Sequence, residues 1–327
     1  EGEQQEQQQN LQSIGKNFLI ALIVVYTLLS ILFKSYFQPL VVMSAIPFGL
    51  TGAVIGHLIM GVNFSIMSLL GIIALTGVVV NDSLVLVDFI NRYRREGKSI
   101  HDAVLDLIMK NSLRSCYIRP LVFYGSEKMG LSTKGCSVNV AIAAWPWGTY
   151  LGDDGLRHGI KVKTSSFNRH HVNSALVRAK ACGYYINSIL AHQEAARYGY
   201  DEALILDTDG YVSEGAGENI FIVRKGNLIT TDLSTCLEGI TRDTVISLAR
   251  ELDICILEKR ITRDEIYSAE EAFFTGTAAE ITPIVSLDDR LIGTGKRGVL
   301  TEKLQNFFFK IVNGNNKSYK KWLTYVR

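Results

Sequence analysis

Three apolar stretches open the chain, Phe18 to Phe33, Pro39 to Val62 and Ile66 to about Ile90, and no Asp, Glu, Lys or Arg occurs from Ser35 to Asn81. Each approaches or exceeds the roughly 20 residues a helix needs to cross a hydrocarbon core, so the pattern predicts three transmembrane helices. Basic residues flank them, Lys34 before the second and Arg92, Arg94 and Arg95 after the third. Basic loops stay in the cytoplasm, which puts the rest of the chain inside. Gly49, Gly52, Gly56, Gly71 and Gly77 suit helices packed closely on others. Asp82 and Asp88, near or inside the third span, are costly in lipid. They read either as transport groups or as an interfacial residue and one facing a partner helix. The Gln/Glu run Glu3 to Gln9 and the missing initial Met are unlike a signal peptide and read as the end of a fragment.

After Asp102 the pattern changes to short strands alternating with amphipathic helices. Strands are predicted at Tyr117–Tyr124, Ser137–Ala144, Ile160–Ser166, Ala203–Leu206, Asn219–Val223, Leu228–Thr230 and Ala272–Thr275. Helices are predicted at Cys182–Arg197, with Ile186, Ile189, Leu190 and Ala195 at helical spacing, at Thr241–Leu252 and at Arg263–Ser268. No internal repeat or low-complexity linker interrupts them. The expected organisation is multi-domain: an α-helical membrane segment, residues 1–105, then a mixed α/β domain, residues 106–327.

The 327 residues carry a net charge of only +2, which leaves no electrostatic footprint for a nucleic-acid partner. Five cysteines lie in the charged region with no C-x-x-C spacing, so reduced thiols and a cytoplasmic setting are expected for that half. His170 and His171 are adjacent, do not face one site and have no evident third ligand, so no metal site is expected.

Four motifs carry candidate chemistry. In Ala179-Lys180-Ala181-Cys182-Gly183-Tyr184-Tyr185 a lysine sits among small and aromatic residues at a helix start. Desolvation there would suit Lys180 to Schiff-base chemistry with an aldehyde cofactor, although such a lysine is usually plain surface. Ser213-Glu214-Gly215-Ala216-Gly217-Glu218-Asn219 holds an acid, Glu214, that could keep a pyridine nitrogen protonated, or is a glycine turn between strands. Glu238-Gly239-Ile240-Thr241-Arg242-Asp243 feeds a helix N-terminus that favours phosphate, with Thr241 as a simple N-cap otherwise. Thr275-Gly276-Thr277-Ala278-Ala279-Glu280 puts amides and a hydroxyl at a strand end, an anion holder or a plain turn.

Two resemblances follow from longer runs. SYFQPLVVMSAIPFGLTGAVIGHLIMG and GIIALTGVVVNDSLVLVDFINRYRREGKSIHDAV resemble three consecutive helices from the second half of resistance-nodulation-division efflux pumps. A single Asp82 preceded by Asn81 departs from the paired aspartates of the pumps' relay helix. YIRPLVF, AIAAWPWGTYLG, AKACGYYINS, GYVSEGAGENIF, LEGITRD and FFTGTAAEITPI, from about Ile108 to the end, resemble class IV pyridoxal-phosphate aminotransferases, most of all those acting on branched-chain amino acids.

The second resemblance implies the large domain of a class IV, D-amino acid aminotransferase-like fold, with pyridoxal 5'-phosphate as cofactor. It implies Lys180 as the Schiff-base lysine and proton shuttle, Glu214 at the pyridine nitrogen and Tyr185 at the ring hydroxyl. It further implies Ile240, Thr241 and Thr277 at the phosphate. Tyr117, Arg119, Ala278 and Ala279 would then hold the substrate carboxylate. Cys182-Gly183-Tyr184 stands where the family often has Gly-Gly-Asn. The family's N-terminal small domain, with its phosphate-binding arginine, is replaced here by the pump-like helices.

The expected activity is transamination of Leu, Ile or Val with 2-oxoglutarate by a homodimer or larger assembly. The expected location is a bacterial inner membrane, in lipid contact through the helices, with the enzymatic half in the cytoplasm. A proton-coupled efflux-pump fragment is the alternative. Both halves are cut inside a fold, whereas natural fusions join whole domains, so a chimeric assembly or recombination product stands beside both.

Overall fold

The computed structural model describes residues 2–33, 36, 38–43, 46–61, 68, 71, 99–148 and 150–326. The chain divides into two compact units, Glu1–Trp145 and Pro146–Arg327.

In the first unit, α1 (Gly2–Phe33), α2 (Gln38–Met43) and α3 (Ile46–Met60) precede α4 (Ile100–Lys110) and the strands β1 (Tyr117–Tyr124) and β2 (Val138–Trp145). The membrane spans expected from the sequence are not supported: among the described residues no helix is long and apolar enough to cross a membrane. The first span is the end of a 32-residue helix that continues back through the Gln/Glu run, because Gln and Glu are good helix formers and nothing breaks the helix there. The second is divided between α2 and α3, and the 15 residues of α3 reach only about 22 Å. The third span, with Asp82 and Asp88, lies outside the described residues.

α4 starts where the Ser99 hydroxyl accepts from the Asp102 amide at 3.1 Å. Its buried face, Ala103 and Leu107 at i and i+4, packs on Ile142 and, less deeply, on Ile118, Val140 and Ala144 of the β1–β2 pair. That pair is antiparallel, with Tyr117 opposite Trp145 and Tyr124 opposite Val138.

The second unit is built on a nine-stranded sheet of β3 (Ile160–Thr164), β4 (Glu202–Leu206), β5 (Val212–Gly215), β6 (Asn219–Arg224), β7 (Asn227–Thr230), β8 (Ile256–Glu258), β9 (Glu271–Gly276), β10 (Glu280–Leu287) and β11 (Arg290–Leu291). Its order is β5-β4-β3-β10-β9-β6-β7-β8, with β11 beside β10. Side chains alternate across it. Ile220 and Ile222 enter one core cluster with Val162, Leu204, Phe274 and Ile261, while Phe221 and Val223 enter another with Phe273. Phe221 and Phe273 stack at 5.1 Å. The second cluster is closed by Val245, Leu248, Leu304 and Phe308 of α7 (Ile240–Glu251) and α9 (Val299–Val312). The short helices α5 (Gly152–His158) and α8 (Arg263–Tyr267) complete the unit with α6 (Tyr185–Arg197).

β5 and β6 stand five places apart in the pairing order, yet only Ala216, Gly217 and Glu218 join them. A flat sheet would separate them by about 24 Å, and the link spans at most about 14 Å. The sheet therefore curls until its ends approach. Val212 of β5 bridges Ile261, the Thr231 hydroxyl donates to Ser213 O at 3.1 Å, and Gly215 N donates to Glu218 O at 2.7 Å. Glycine at 215 lets the link pass close to its neighbours: a Cβ would lie 3.0 Å from the Phe274 ring and closer still to the Glu218 carboxylate, so both side chains would have to shift.

One expected helix face is corrected. The helix from Cys182 begins as a 3-10 turn and becomes α-helical at Tyr185, and its large apolar residues Ile186, Ile189 and Leu190 are exposed. Of the four expected positions only Ala195 is buried; it packs with Ala191 against Ala203 and Ile205, and Ser188 is buried as well, because small side chains let α6 approach the sheet closely.

Candidate active site

In the second unit a hollow lined by Lys180, Tyr185, Glu214, Arg169, Glu218 and Asn219, among others, encloses about 60 Å³ and opens into about 540 Å³ of empty space counting its mouth. Three elements meet there: the turn before α6, the closing strand β5, and the start of β6. Of the residues expected from sequence, Lys180, Tyr185 and Glu214 are brought together. Lys180 is exposed, with Nζ 5.5 Å from the Tyr185 ring centroid. Its turn is shaped by Ala181 N donating to Ala179 O at 2.7 Å and by Tyr184, whose hydroxyl accepts from Leu176 N at 3.0 Å.

Glu214 is buried on β5 opposite Ile205. Its Oε2 accepts from Leu237 N at 3.1 Å, and its Oε1 stands 2.9 Å from Arg169 Nε, outside hydrogen-bond alignment, so that contact is one of charge. Burial pushes its carboxyl above the ordinary range, while the Arg169 charge, the Leu237 amide and Lys180 pull it back. Glu218, also buried, is pushed up to about 8 by burial and by the negative neighbours Glu202 and Glu214, against the pull of the Gly217 amide. Glu202 is fully buried; its Oε1 accepts from Ala203 N at 2.7 Å and lies 3.1 Å from His192 Nδ1, while Oε2 has no hydrogen-bond partner.

The expected phosphate residues Ile240, Thr241 and Thr277 do not line the hollow; they stand in segments that touch its lining residues Asn219, Leu237 and Gly217. Gly239 caps α7 in extended conformation, and Ile240 and Thr241 follow in its first turn, Ile240 exposed and Thr241 buried. Asn219 fastens this segment by donating from Nδ2 to Leu237 O at 2.8 Å, and its Oδ1 is 2.1 Å from where a Cβ of residue 239 would be. Thr277, Ala278 and Ala279 form the turn between β9 and β10, next to the Gly217–Glu218 link: a Cβ at Gly276 would contact Gly217 O at 3.5 Å. Ala279 O accepts from the Thr282 hydroxyl at 2.6 Å.

Tyr117 and Arg119 belong to the first unit, on β1. The Arg119 guanidinium lies 5.3 Å from the Tyr117 ring centroid and 5.8 Å from that of Trp145, and Nη2 donates to the Tyr117 hydroxyl at 3.5 Å.

Sequence reasoning passed over Arg169 and gave Glu218 no role. Arg169 stands beside His170 and His171, which drew attention as a metal pair. His170 faces the Tyr184 ring at 5.5 Å and His171 Nδ1 accepts from Asn173 N at 3.2 Å. A carboxylate motif calling for a buried counter-ion was the signal that could have led to Arg169.

The donor set fits a phosphorylated pyridine aldehyde: an amine, a phenol, a buried carboxylate held by a guanidinium, and a helix N-terminus. Residues 96–287 match the model of the class IV amino-transferases, and the chain belongs to that family. It is 55% identical over 228 residues, 70% of this chain and 74% of the relative, to the branched-chain-amino-acid aminotransferase of Pseudomonas aeruginosa. Its identity to the enzyme of the same name from Escherichia coli is 46% over 227 residues, 69% of this chain and 74% of the relative. The crystal structure of the Escherichia coli enzyme superposes with a TM-score of 0.68 at 45% identity, covering 70% of this chain and 77% of that one. The branched-chain amino acid aminotransferase of the thermophilic archaeon Thermoproteus uzoniensis, crystallised with norvaline, gives 0.66 at 46%, covering 69% and 74%. A further branched-chain amino acid aminotransferase, crystallised with pyridoxamine 5'-phosphate, gives 0.67 at 44% with the same coverage. Residues 1–115 match the AcrB/AcrD/AcrF family.

Proposed function

We propose that this chain is a pyridoxal-phosphate transaminase exchanging the amino group of leucine, isoleucine or valine with 2-oxoglutarate, with residues 106–327 as the enzymatic domain. The observation that carries this reading is the convergence of Lys180, Tyr185 and Glu214 on one hollow in a class IV chain. The high identity to branched-chain enzymes supports the substrate class.

Bound pyridoxal phosphate supplies an aldehyde that takes up an amino group and a ring that accepts the electron pair of the Cα–H bond. Lys180 offers its Nζ as the nucleophile and then carries the proton from the substrate Cα. Glu214 would face the protonated ring nitrogen and the Tyr185 hydroxyl the ring hydroxyl. The Ile240 amide and the Thr241 and Thr277 hydroxyls would hold the phosphate, where the α7 N-terminus favours an anion. By the family resemblance, Tyr117 and Arg119 would be ligands of the substrate carboxylate, and so would the amides of Ala278 and Ala279. The Arg119 fork suits a carboxylate, and the two rings beside it limit its rotation.

Visible absorption of the purified chain with added pyridoxal phosphate tests the reading. A band present in wild type and missing in Lys180→Ala supports it, and the same spectrum in both sinks it. A homodimer is proposed for the enzymatic half, to be checked by sedimentation. The match of residues 1–115 supports a second reading, in which residues 1–105 are a pump-like segment that binds lipid and anchors the enzyme to the inner membrane. Recovery of the chain in the soluble fraction without detergent would refute the anchoring.

A further inference from the structure

We propose that Arg169 is a positioning residue for transamination, bracing the Glu214 carboxylate against the first turn of α6. The proposal rests on the reading of Glu214 as the acid that faces the ring nitrogen. Arg169 is 7% exposed; Nη1 and Nη2 donate hydrogen bonds, while Nε meets Glu214 by charge alone. Nε stands 2.9 Å from Glu214 Oε1, Nη2 donates to Gly215 O at 3.0 Å, and Nη1 donates to Asn187 Oδ1 at 3.0 Å and to Ser188 Oγ at 3.2 Å. Arg169 N is itself tied to Leu206 O at the end of β4, at 2.8 Å.

One side chain therefore joins the strand that carries the acid to the helix that begins with Tyr185, a few residues after Lys180. The brace would thereby fix the separation between Glu214 and the helix start that follows Lys180. The guanidinium has a second effect. Glu214 faces Arg169, Lys180, Cys236 and the carboxyl of Glu218, which in turn faces Glu202. Against burial, the Arg169 charge opposes protonation of Glu214 from within contact distance. A guanidinium is suited to both tasks, since a lysine has the charge without the fork.

The test uses the full chain loaded with pyridoxal phosphate, as wild type, Arg169→Met, Arg169→Lys and Glu214→Gln. Two quantities are followed against pH: the cofactor's visible absorbance without substrate, and kcat and KM for leucine. Loss of an adjacent opposite charge moves a carboxyl by about 1–3 pH units. In Arg169→Met the low-pH fall of kcat/KM and the matching absorbance transition should move up by that amount, because Glu214 then protonates sooner. Arg169→Lys should leave both near their wild-type pH while kcat falls about tenfold and KM changes less than twofold.

An acidic transition at the wild-type pH in Arg169→Met overturns the proposal, because a merely structural role would lower the yield of active enzyme without moving it. Should Arg169→Met not fold, Ser188→Ala, which removes one prop and keeps the charge, replaces it. A kcat lowered at least threefold with an unmoved transition supports the brace, and an unchanged kcat overturns it. Glu214→Gln separates the two ideas. If its absorbance profile and kcat match wild type, the reading of Glu214 fails, whatever the Arg169 variants do.

Discussion

Replacing Glu218 by glutamine should make the second unit more stable as pH rises. Glu218 is 4% exposed, and its carboxyl is pushed up to about 8 from an ordinary value of 4.5. A carboxyl raised on folding stabilises the fold most below its unfolded value, and that contribution is lost as pH climbs through the folded value. From pH 5 to 8 this is about three pH units at about 1.4 kcal/mol each, so at most about 4 kcal/mol, a cost shared with the neighbouring Glu202. Glutamine keeps the shape and cannot ionise. Urea unfolding of the cofactor-free chain, followed by tryptophan fluorescence at pH 5, 7 and 9, measures the effect. Wild type should lose stability between pH 5 and 9, and Glu218→Gln should lose up to about 4 kcal/mol less over the same range. Parallel pH profiles for the two proteins would refute the reasoning, for they would mean that Glu218 titrates alike in the folded and unfolded chain.

Three other perturbations have expected outcomes. The Glu202 carboxylate raises the proton affinity of His192, so that contribution is present below the ordinary histidine value and lost as pH rises through the folded one. Accordingly, His192→Ala should cost more stability at pH 5.5 than at pH 9 in thermal unfolding, with screening at this half-exposed site keeping the difference to about 1 kcal/mol or less. Gly239→Ala forces Asn219 Oδ1 away from a 2.1 Å approach and breaks its hold on Leu237. It should cost about 1–3 kcal/mol in unfolding free energy and weaken binding of pyridoxal phosphate in a fluorescence titration. Phe273→Ala empties a fully buried ring from the stacked pair with Phe221, and chemical denaturation should show a loss of about 3–5 kcal/mol.

Much of the second unit could be read from the sequence because its signals are local. β6 and β9 alternate strictly between two cores, and α7 shows a helical stripe, so periodicity alone finds them. β5 reads instead as a glycine turn. It is a strand only because the curled sheet returns to meet it, a long-range condition that a four-residue window does not encode. The buried face of α6 was hidden for a similar reason. Close approach to the sheet selects Ser188, Ala191 and Ala195, while a hydrophobicity pattern points to Ile186, Ile189 and Leu190. Lys180, Tyr185 and Glu214 were legible because their motifs are contiguous. Arg169 was not, because its meaning depends on Glu214, a residue brought beside it by folding.

The closure of the sheet at β5 gives the acid a further property. Glu214 sits on the seam where the two ends of the curled sheet approach, held from β4 on one side and by the Leu237 amide on the other. Opening that seam would free hydrogen-bonding strand edges and displace the acid in the same movement. A ring clasped by Glu214 would thus act as a rivet through the join. Occupancy of the site and protection of the edges from other chains would rise and fall together.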